Sequence, residues 1–320
     1  MIPLPLACPE SFLFWVRGSS LGELAGVLAA IASSALGGTA VGATRYVVGA
    51  VDPLTLGALR FGIGFLCLLP IALAQREAWP ARRDWPRAAA LGLLFFGLFP
   101  VLFNASLLYT TAARAALALS TLPLLTMLAG AILGVEALTA RKSAGVALAM
   151  GGVTLALAAG LADAPAGAWR GDLLMVAAAQ CMALYSVWAR PVIHRSGPVR
   201  FTLLAMGTGA TCLGLLAGIG GGFAALPGFG WPQWIAVFYL GLFGSALIFF
   251  LWAFALGRTT PTRVAVSVTV NPVTAALLGA LLLDEPVGWN LVLGLVTVFS
   301  GIWLAVTAGK PAGTAAPHKR

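Results

Sequence analysis

The sequence predicts an all-α polytopic membrane protein with ten transmembrane helices, arranged as two inverted five-helix repeats. Three observations lead there. Of the 320 residues, 60% are hydrophobic and only 9% charged, against about 25% charged in an ordinary soluble domain. Mean hydropathy is +0.97, and the apolar residues gather into ten runs of about the 20 residues that a bilayer core requires. The second half of the chain also echoes the first at a constant offset. So few charges cannot cover so much apolar surface in water. This excludes a soluble enzyme, a nucleic-acid-binding module and a secreted disulfide scaffold.

The ten predicted spans are 24–44, 54–74, 88–108, 113–133, 143–161, 173–193, 201–219, 234–256, 262–282 and 288–307. Polar stretches separate them. Residues 76–87 (REAWPARRDWPR) part the second span from the third, and 136–142 part the fourth from the fifth. Residues 163–172 divide the chain near its middle, and 194–200, with Gly197-Pro198, follow the sixth span. Residues 1–21 read as a loose tail: prolines interrupt the apolar run, and no basic region precedes it as in a signal peptide. Residues 22–162 form the first repeat, 163–170 a linker, 171–307 the second repeat and 308–320 a polar tail.

Lys and Arg set the orientation, because they accumulate on the cytoplasmic side. With the N-terminus inside, all but Arg45, Arg60, Arg114 and Arg170 of the 19 basic residues fall on the cytoplasmic face. Both termini are therefore expected in the cytoplasm, and the net charge of +9 belongs to cytoplasmic loops rather than to a nucleic-acid site.

The repeat appears when the chain is shifted by 149 residues. Glu23 meets Asp172, Trp85 meets Trp234, and Thr110-Thr111 meets Thr259-Thr260. Arg114 meets Arg263, Pro123 meets Pro272, Glu136 meets Glu285, and Gly145 and Gly152 meet Gly294 and Gly301. Gly, Ala and Leu coincide often at this composition; Trp, Arg, Pro and Glu do not. Each copy holds five spans, so the second enters the membrane from the opposite face. Inverted repeats of this kind characterise secondary transporters, whose substrate sites lie near the midplane where the copies meet.

These residues resemble a known family. Leu54-Thr-Leu-Gly-Ala-Leu-Arg60-Phe61 is similar to the start of the second span in EamA-type members of the drug/metabolite transporter superfamily. The run from Phe250 to Thr260, followed by Asn271-Pro272 and Leu283-Asp-Glu285-Pro286, is similar to that family's eighth and ninth spans. The first repeat departs from the second in having Val135-Glu136-Ala137 in place of Asp284-Glu285-Pro286. The resemblance covers Gly22 to about Val306 and implies an inner-membrane carrier of small metabolites. Branches of the family export aromatic and other amino acids; others carry nucleobases, vitamins or cationic drugs.

Several residues are candidates for the substrate site. Pro123 and Pro272 fall at the centres of the fourth and ninth spans, where each removes a helical N–H and frees the carbonyl four residues earlier, Leu119 and Val268. Ser120 and Thr269 stand three residues before each proline, where a hydroxyl serves either the broken turn or a ligand. Asn104, Gln180 and Asn271 are amides inside spans and suit an amino acid's ammonium and carboxylate; they equally serve as interhelical glue. Tyr185 and Phe249 are the aromatic candidates; Cys181, Tyr185 and Trp188 share a helix face, and Phe249, Phe250 and Trp252 crowd the eighth span. Aromatic stripes in a membrane also form packing or interfacial belts. Arg60 and Arg114 lie near span ends, where an arginine ordinarily snorkels to the headgroups; a substrate carboxylate or the Arg45 and Asp52 region is the alternative partner.

Other chemistries find no support. The four cysteines are scattered, with no CxxC or Cys/His grouping, so neither a metal site nor a disulfide framework is supported; no cofactor is expected. No P-loop or common hydrolase motif occurs. All ten acids fall in tails, loops or span ends, leaving no midplane carboxylate as a proton carrier; a carboxylate at a span end or a facilitated carrier are the alternatives. Gly38-x-x-x-Gly42 and Ala147-x-x-x-Gly151 permit close helix approach. The expectation is a non-enzymatic carrier that exports small metabolites, amino acids before nucleobases, vitamins or cationic drugs, by alternating access, with a small-molecule substrate and the lipid bilayer as partners and no nucleic acid. A membrane-embedded enzyme or scaffold is the remote alternative.

Overall fold

The computed structural model describes residues 9–75, 78–110, 112–157, 166–274 and 289–307. Among them every regular element is helical. Helix α1 spans Pro9–Val47 and α2 Pro53–Ala74. The backbone is thus helical from Pro9, within the segment read from sequence as a loose tail. Asp52 starts α2 by accepting the Leu54 and Thr55 amides, with Pro53 in the first turn where its missing N–H costs nothing.

The third apolar stretch is one continuous rod in three parts: α3 (Trp85–Gly92), a π-helical segment (Leu93–Leu98) and α4 (Phe99–Tyr109). After it come α5 (Ala112–Leu119), α6 (Leu122–Ile132) and α7 (Ala140–Leu157). The second half opens with α8 (Ala168–Ser196) and α9 (Pro198–Ile219), hinged at Gly197 with φ 79°. Next are α10 (Trp231–Gly241), a second π-helical segment (Leu242–Leu247) and α11 (Ile248–Leu256). Helix α12 (Pro261–Val266) runs into a 3₁₀ turn (Ser267–Thr269), and α13 spans Trp289–Val306.

Six stretches of the described residues are long and apolar enough to cross a bilayer: Leu21–Thr44, Pro53–Ala74, Arg82–Tyr109, Ala168–Ser196, Pro198–Ile219 and Trp231–Leu256. The remaining four predicted spans look different for physical reasons. In the fourth, the helix breaks between α5 and α6, where Ser120 and Thr121 turn back onto Leu117 and Ala118. Pro123 then occupies the first turn of α6, so the proline begins a new helix rather than kinking one helix at its centre. The ninth has the same build: the 3₁₀ turn ends at Thr269, and Pro272 lies in the first turn of the helical residues 270–274. Its part beyond 274 lies outside the described residues, as do Asp284, Glu285 and Pro286. The fifth begins on Arg141 and Lys142, and the tenth is α13 with its 18 residues.

The 149-residue offset recurs in the folded chain. The two π-helical segments begin at Leu93 and Leu242, and the two helix breaks precede Pro123 and Pro272. A pair of ion pairs crosses between the halves reciprocally. Arg114 pairs with Asp172, and Arg263 pairs with Glu23. Thr110 joins the first at 2.9 Å and Thr259 the second at 3.5 Å. Every residue of one cluster lies 149 positions from its counterpart in the other.

Helices α7 and α13 meet through glycines. A Cβ at Gly145 would lie 2.5 Å from the Ala305 nitrogen, one at Gly152 2.7 Å from the Val298 nitrogen, and one at Gly301 2.5 Å from the Ala149 nitrogen. The backbones touch where side chains would otherwise stand. Gly42 and Gly151, the small residues expected to mark close approach, have nothing within 4 Å of an added Cβ. The close contacts fall on Gly145 and Gly152, one helix face away from Gly151.

Candidate functional site

A narrow cavity lies at the centre of the molecule, walled by helices from both halves. Helix α1 supplies Ser33, Ser34, Gly37 and Val41, α2 supplies Arg60, and α4 supplies Phe99, Pro100 and Phe103. From the second half come Met182 of α8, Ile248, Phe249 and Trp252 of α11, Val268 of the 3₁₀ turn, and Asn271. The wall is apolar and aromatic with a few convergent polar groups, the usual build of a small-molecule site.

The serines of α1 face other elements. Ser33 donates to the Ile248 carbonyl at 2.9 Å, and Ser34 shares a 2.9 Å hydrogen bond with Ser267. They fasten α1 to α11 and to the 3₁₀ turn. Gly37 makes room for Asn271: an added Cβ would lie 2.9 Å from the Asn271 amide nitrogen. The Asn271 side-chain oxygen is buried and has no hydrogen-bond partner among the described residues. Trp252 turns its indole N–H away to Ser186 at 3.3 Å, leaving the ring as wall.

Arg60 is the residue that sequence reasoning undervalued. It does not snorkel: the side chain is 8% exposed and turned into the protein. Its Nε donates to the Ser245 hydroxyl at 2.9 Å and its Nη2 to the Gly244 carbonyl. Both acceptors belong to the second π-helical segment. The position 149 residues on from Arg60 is Gly209, and an added Cβ there would meet Phe96 of the first π-helical segment. The halves thus exchange bulk: arginine against Gly244-Ser245 on one side, glycine against Phe95-Phe96 on the other. Only the three-dimensional pairing of α2 with the π-helical segment reveals this. The Arg60-Phe61 pair was visible in the sequence, but nothing there says which helix faces it.

The other expected site residues are distributed as follows. Phe249 and Asn271 line the cavity together. Tyr185 is 1% exposed and stacks on Phe95 with ring centroids 4.2 Å apart. Phe95 also meets Phe249 edge-on at 5.2 Å, so Tyr185 backs the wall from behind. Asn104 is buried and donates to the Pro53 carbonyl at 3.2 Å, tying α4 to the start of α2. The Thr269 hydroxyl donates to the Val266 carbonyl at 2.7 Å within its own turn. Ser120 is buried and lines a separate cleft with Arg114, Thr154 and Asp172. Pro123 and Pro272 are buried, the latter beside Asn271, and Gln180 is half-buried on α8 outside the cavity lining. Trp188 is exposed, as an interfacial aromatic would be, and Arg114 is ion-paired to Asp172.

Glu136 serves structure. Its carboxylate accepts Lys142 Nζ at 2.6 Å and the Thr262 amide at 3.0 Å, capping the N-terminus of α12. Among the described residues no group of His, Cys, Asp and Glu has the makings of a metal site.

Comparisons with known proteins agree with this architecture. The EamA-like transporter family model matches residues 24–158 and again 169–307. An uncharacterized transporter of Archaeoglobus fulgidus is 25% identical over 275 residues, covering 84% of this chain and 94% of its own. An uncharacterized protein of Pseudomonas aeruginosa is 31% identical over 265 residues, 80% of this chain and 84% of its own. A probable terminal-alkyne amino-acid exporter of Streptantibioticus cattleyicolor is 28% identical over 208 residues, 64% of this chain and 68% of its own. A protein crystal structure superposes with a TM-score of 0.72 at 24% identity, covering 89% of this chain and 96% of its own.

Proposed function

The chain belongs to the EamA-like transporter family, and as such a multi-pass membrane transporter we propose that it exports small metabolites, amino acids and among them aromatic ones first, across the inner membrane by alternating access. The central cavity carries this reading: an aromatic wall of Phe99, Phe103, Phe249 and Trp252, closed by one cationic and one amide side chain. An amino acid presents the matching pieces, an apolar side chain and a zwitterionic end. The name of the Streptantibioticus cattleyicolor relative points the same way.

We read the chain as ten helices in two inverted five-helix repeats with both termini in the cytoplasm. Two matches to one family model, paired π-helical segments and reciprocal ion pairs support that arrangement. In an inverted pair, Arg114–Asp172 and Arg263–Glu23 lie toward opposite faces of the membrane. Opening one face while the other stays closed is the motion that alternating access requires.

A substrate panel in proteoliposomes tests the function. Purified full-length protein should take up phenylalanine, tryptophan and smaller neutral amino acids faster than nucleobases or organic cations. A flat amino-acid response beside robust transport of organic cations discards the amino-acid assignment.

A further inference from the structure

We infer that Arg60 holds the substrate's carboxylate and the Asn271 side-chain oxygen receives its ammonium, so that the cavity selects zwitterions over amines and acids of the same shape. The inference rests on the reading of the central cavity as the transport site. Arg60 has five N–H donors in a fixed plane. Its side-on edge, Nε and Nη2, is taken up by the Ser245 hydroxyl and the Gly244 carbonyl. The end-on edge, made of Nη1 and the second hydrogen of Nη2, has no acceptor among the described residues. That edge is where a carboxylate docks with two parallel hydrogen bonds.

Charge leads to the same conclusion. Among the described residues Arg114, Lys142, Arg195 and Arg263 each have a carboxylate partner, and none of these lines the central cavity. Arg60 lines the cavity, is the most buried of the described arginines, and has no described carboxylate partner. A cation held inside a membrane protein without a counterion is costly. Its neutral acceptors orient the guanidinium but do not cancel its charge. A ligand's carboxylate does both, and the same field repels an organic cation that lacks one. The Asn271 oxygen is the complementary acceptor: buried, without a partner among the described residues, on a side chain lining the same cavity. The whole amide packs over Gly37, where an added Cβ would lie 2.9 Å from its nitrogen and 3.1 Å from its oxygen. Phe249 and Trp252 belong to the wall that meets the apolar body of the ligand.

The test uses phenylalanine with two truncated analogues: phenethylamine, which lacks the carboxylate, and 3-phenylpropionate, which lacks the ammonium. In proteoliposomes of the full chain, each analogue should compete with labelled phenylalanine about ten- to a hundredfold more weakly than phenylalanine itself, the worth of a hydrogen bond to a charged group. Arg60→Gln should lower phenylalanine uptake by a similar factor and abolish the preference for phenylalanine over phenethylamine. Arg60→Lys, which keeps the charge without the fork, should retain part of that preference. Asn271→Leu should abolish the preference over 3-phenylpropionate while keeping that over phenethylamine.

Wild-type protein that transports phenylalanine yet is inhibited equally well by phenethylamine overturns the inference and leaves the amino-acid reading standing. This holds even where Arg60→Gln does not fold, since it needs no variant. A folded Arg60→Gln protein with unchanged preference overturns it too, returning Arg60 to a brace for the π-helical segment. Wild-type protein that carries organic cations and no amino acid overturns both.

Discussion

Asn271 and Phe249 divide the work of the cavity at the scale of single residues. Asn271→Leu removes an amide's donors and acceptor at similar volume, and the lost acceptor has no partner among the described residues. Uptake of phenylalanine or tryptophan into proteoliposomes should fall about ten- to a hundredfold, while gel filtration shows folded protein. Phe249 contributes ring surface: it meets Phe61 at 5.7 Å, Phe95 at 5.2 Å and Phe96 at 5.1 Å between ring centroids. Phe249→Ala leaves a void beside the ligand's apolar body. Competition assays should show weaker binding of aromatic substrates, with threonine affected less.

The broken helices matter at the scale of elements. Pro123 and Pro272 each follow a short turn, and in each case the chain changes course beside the cavity. Pro123→Ala and Pro272→Ala restore an N–H and favour a continuous helix, straightening the break. Each should lower transport, measured as initial uptake rate, while the protein stays folded in the membrane; normal rates in both would assign the prolines to packing. The α7–α13 contact is a matter of stability instead. Gly145→Ala or Gly301→Ala pushes a methyl into the facing backbone, 2.5 Å from an amide nitrogen in both cases. The helices must separate, so either variant should melt several degrees lower in detergent than the wild type. Gly151→Ala, with open space around it, should melt unchanged.

The reciprocal ion pairs operate across the whole molecule, since each joins one half to the other. Reversing one pair alone, as Arg114→Asp, places two carboxylates together and should reduce transport strongly. The double reversal with Asp172→Arg should recover much of it. Failure of the double variant to exceed the single would show that the pair does more than hold the halves together. Orientation is checked independently: tags at both termini should be accessible only from the cytoplasm, because the basic residues crowd that face. A periplasmic C-terminal tag would overturn the ten-span reading.

Composition and periodicity by themselves determined that this chain is helical and lies in a membrane, and the resemblance of the Leu54–Phe61 and Asn271-Pro272 stretches to a known family pointed to where it belongs. Those signals are additive along the chain: each apolar run needs only its own residues to prefer lipid, and each repeat match needs only its own offset. The offset that pairs Arg114 with Arg263 and Glu23 with Asp172 was legible in the sequence; that each arginine reaches across to the acid of the other half was not. The paired prolines announced two breaks, but the new helix starting at each became visible only in the fold. The π-helical segments left no residue code, since a π turn differs from an α turn by one residue and is settled by what packs against it. Tertiary structure alone decided the fate of Arg60. Six residues inside a span, it had either lipid headgroups or protein within reach. A glycine and a serine on the facing π-helical segment left room for a guanidinium, and so drew it into the cavity.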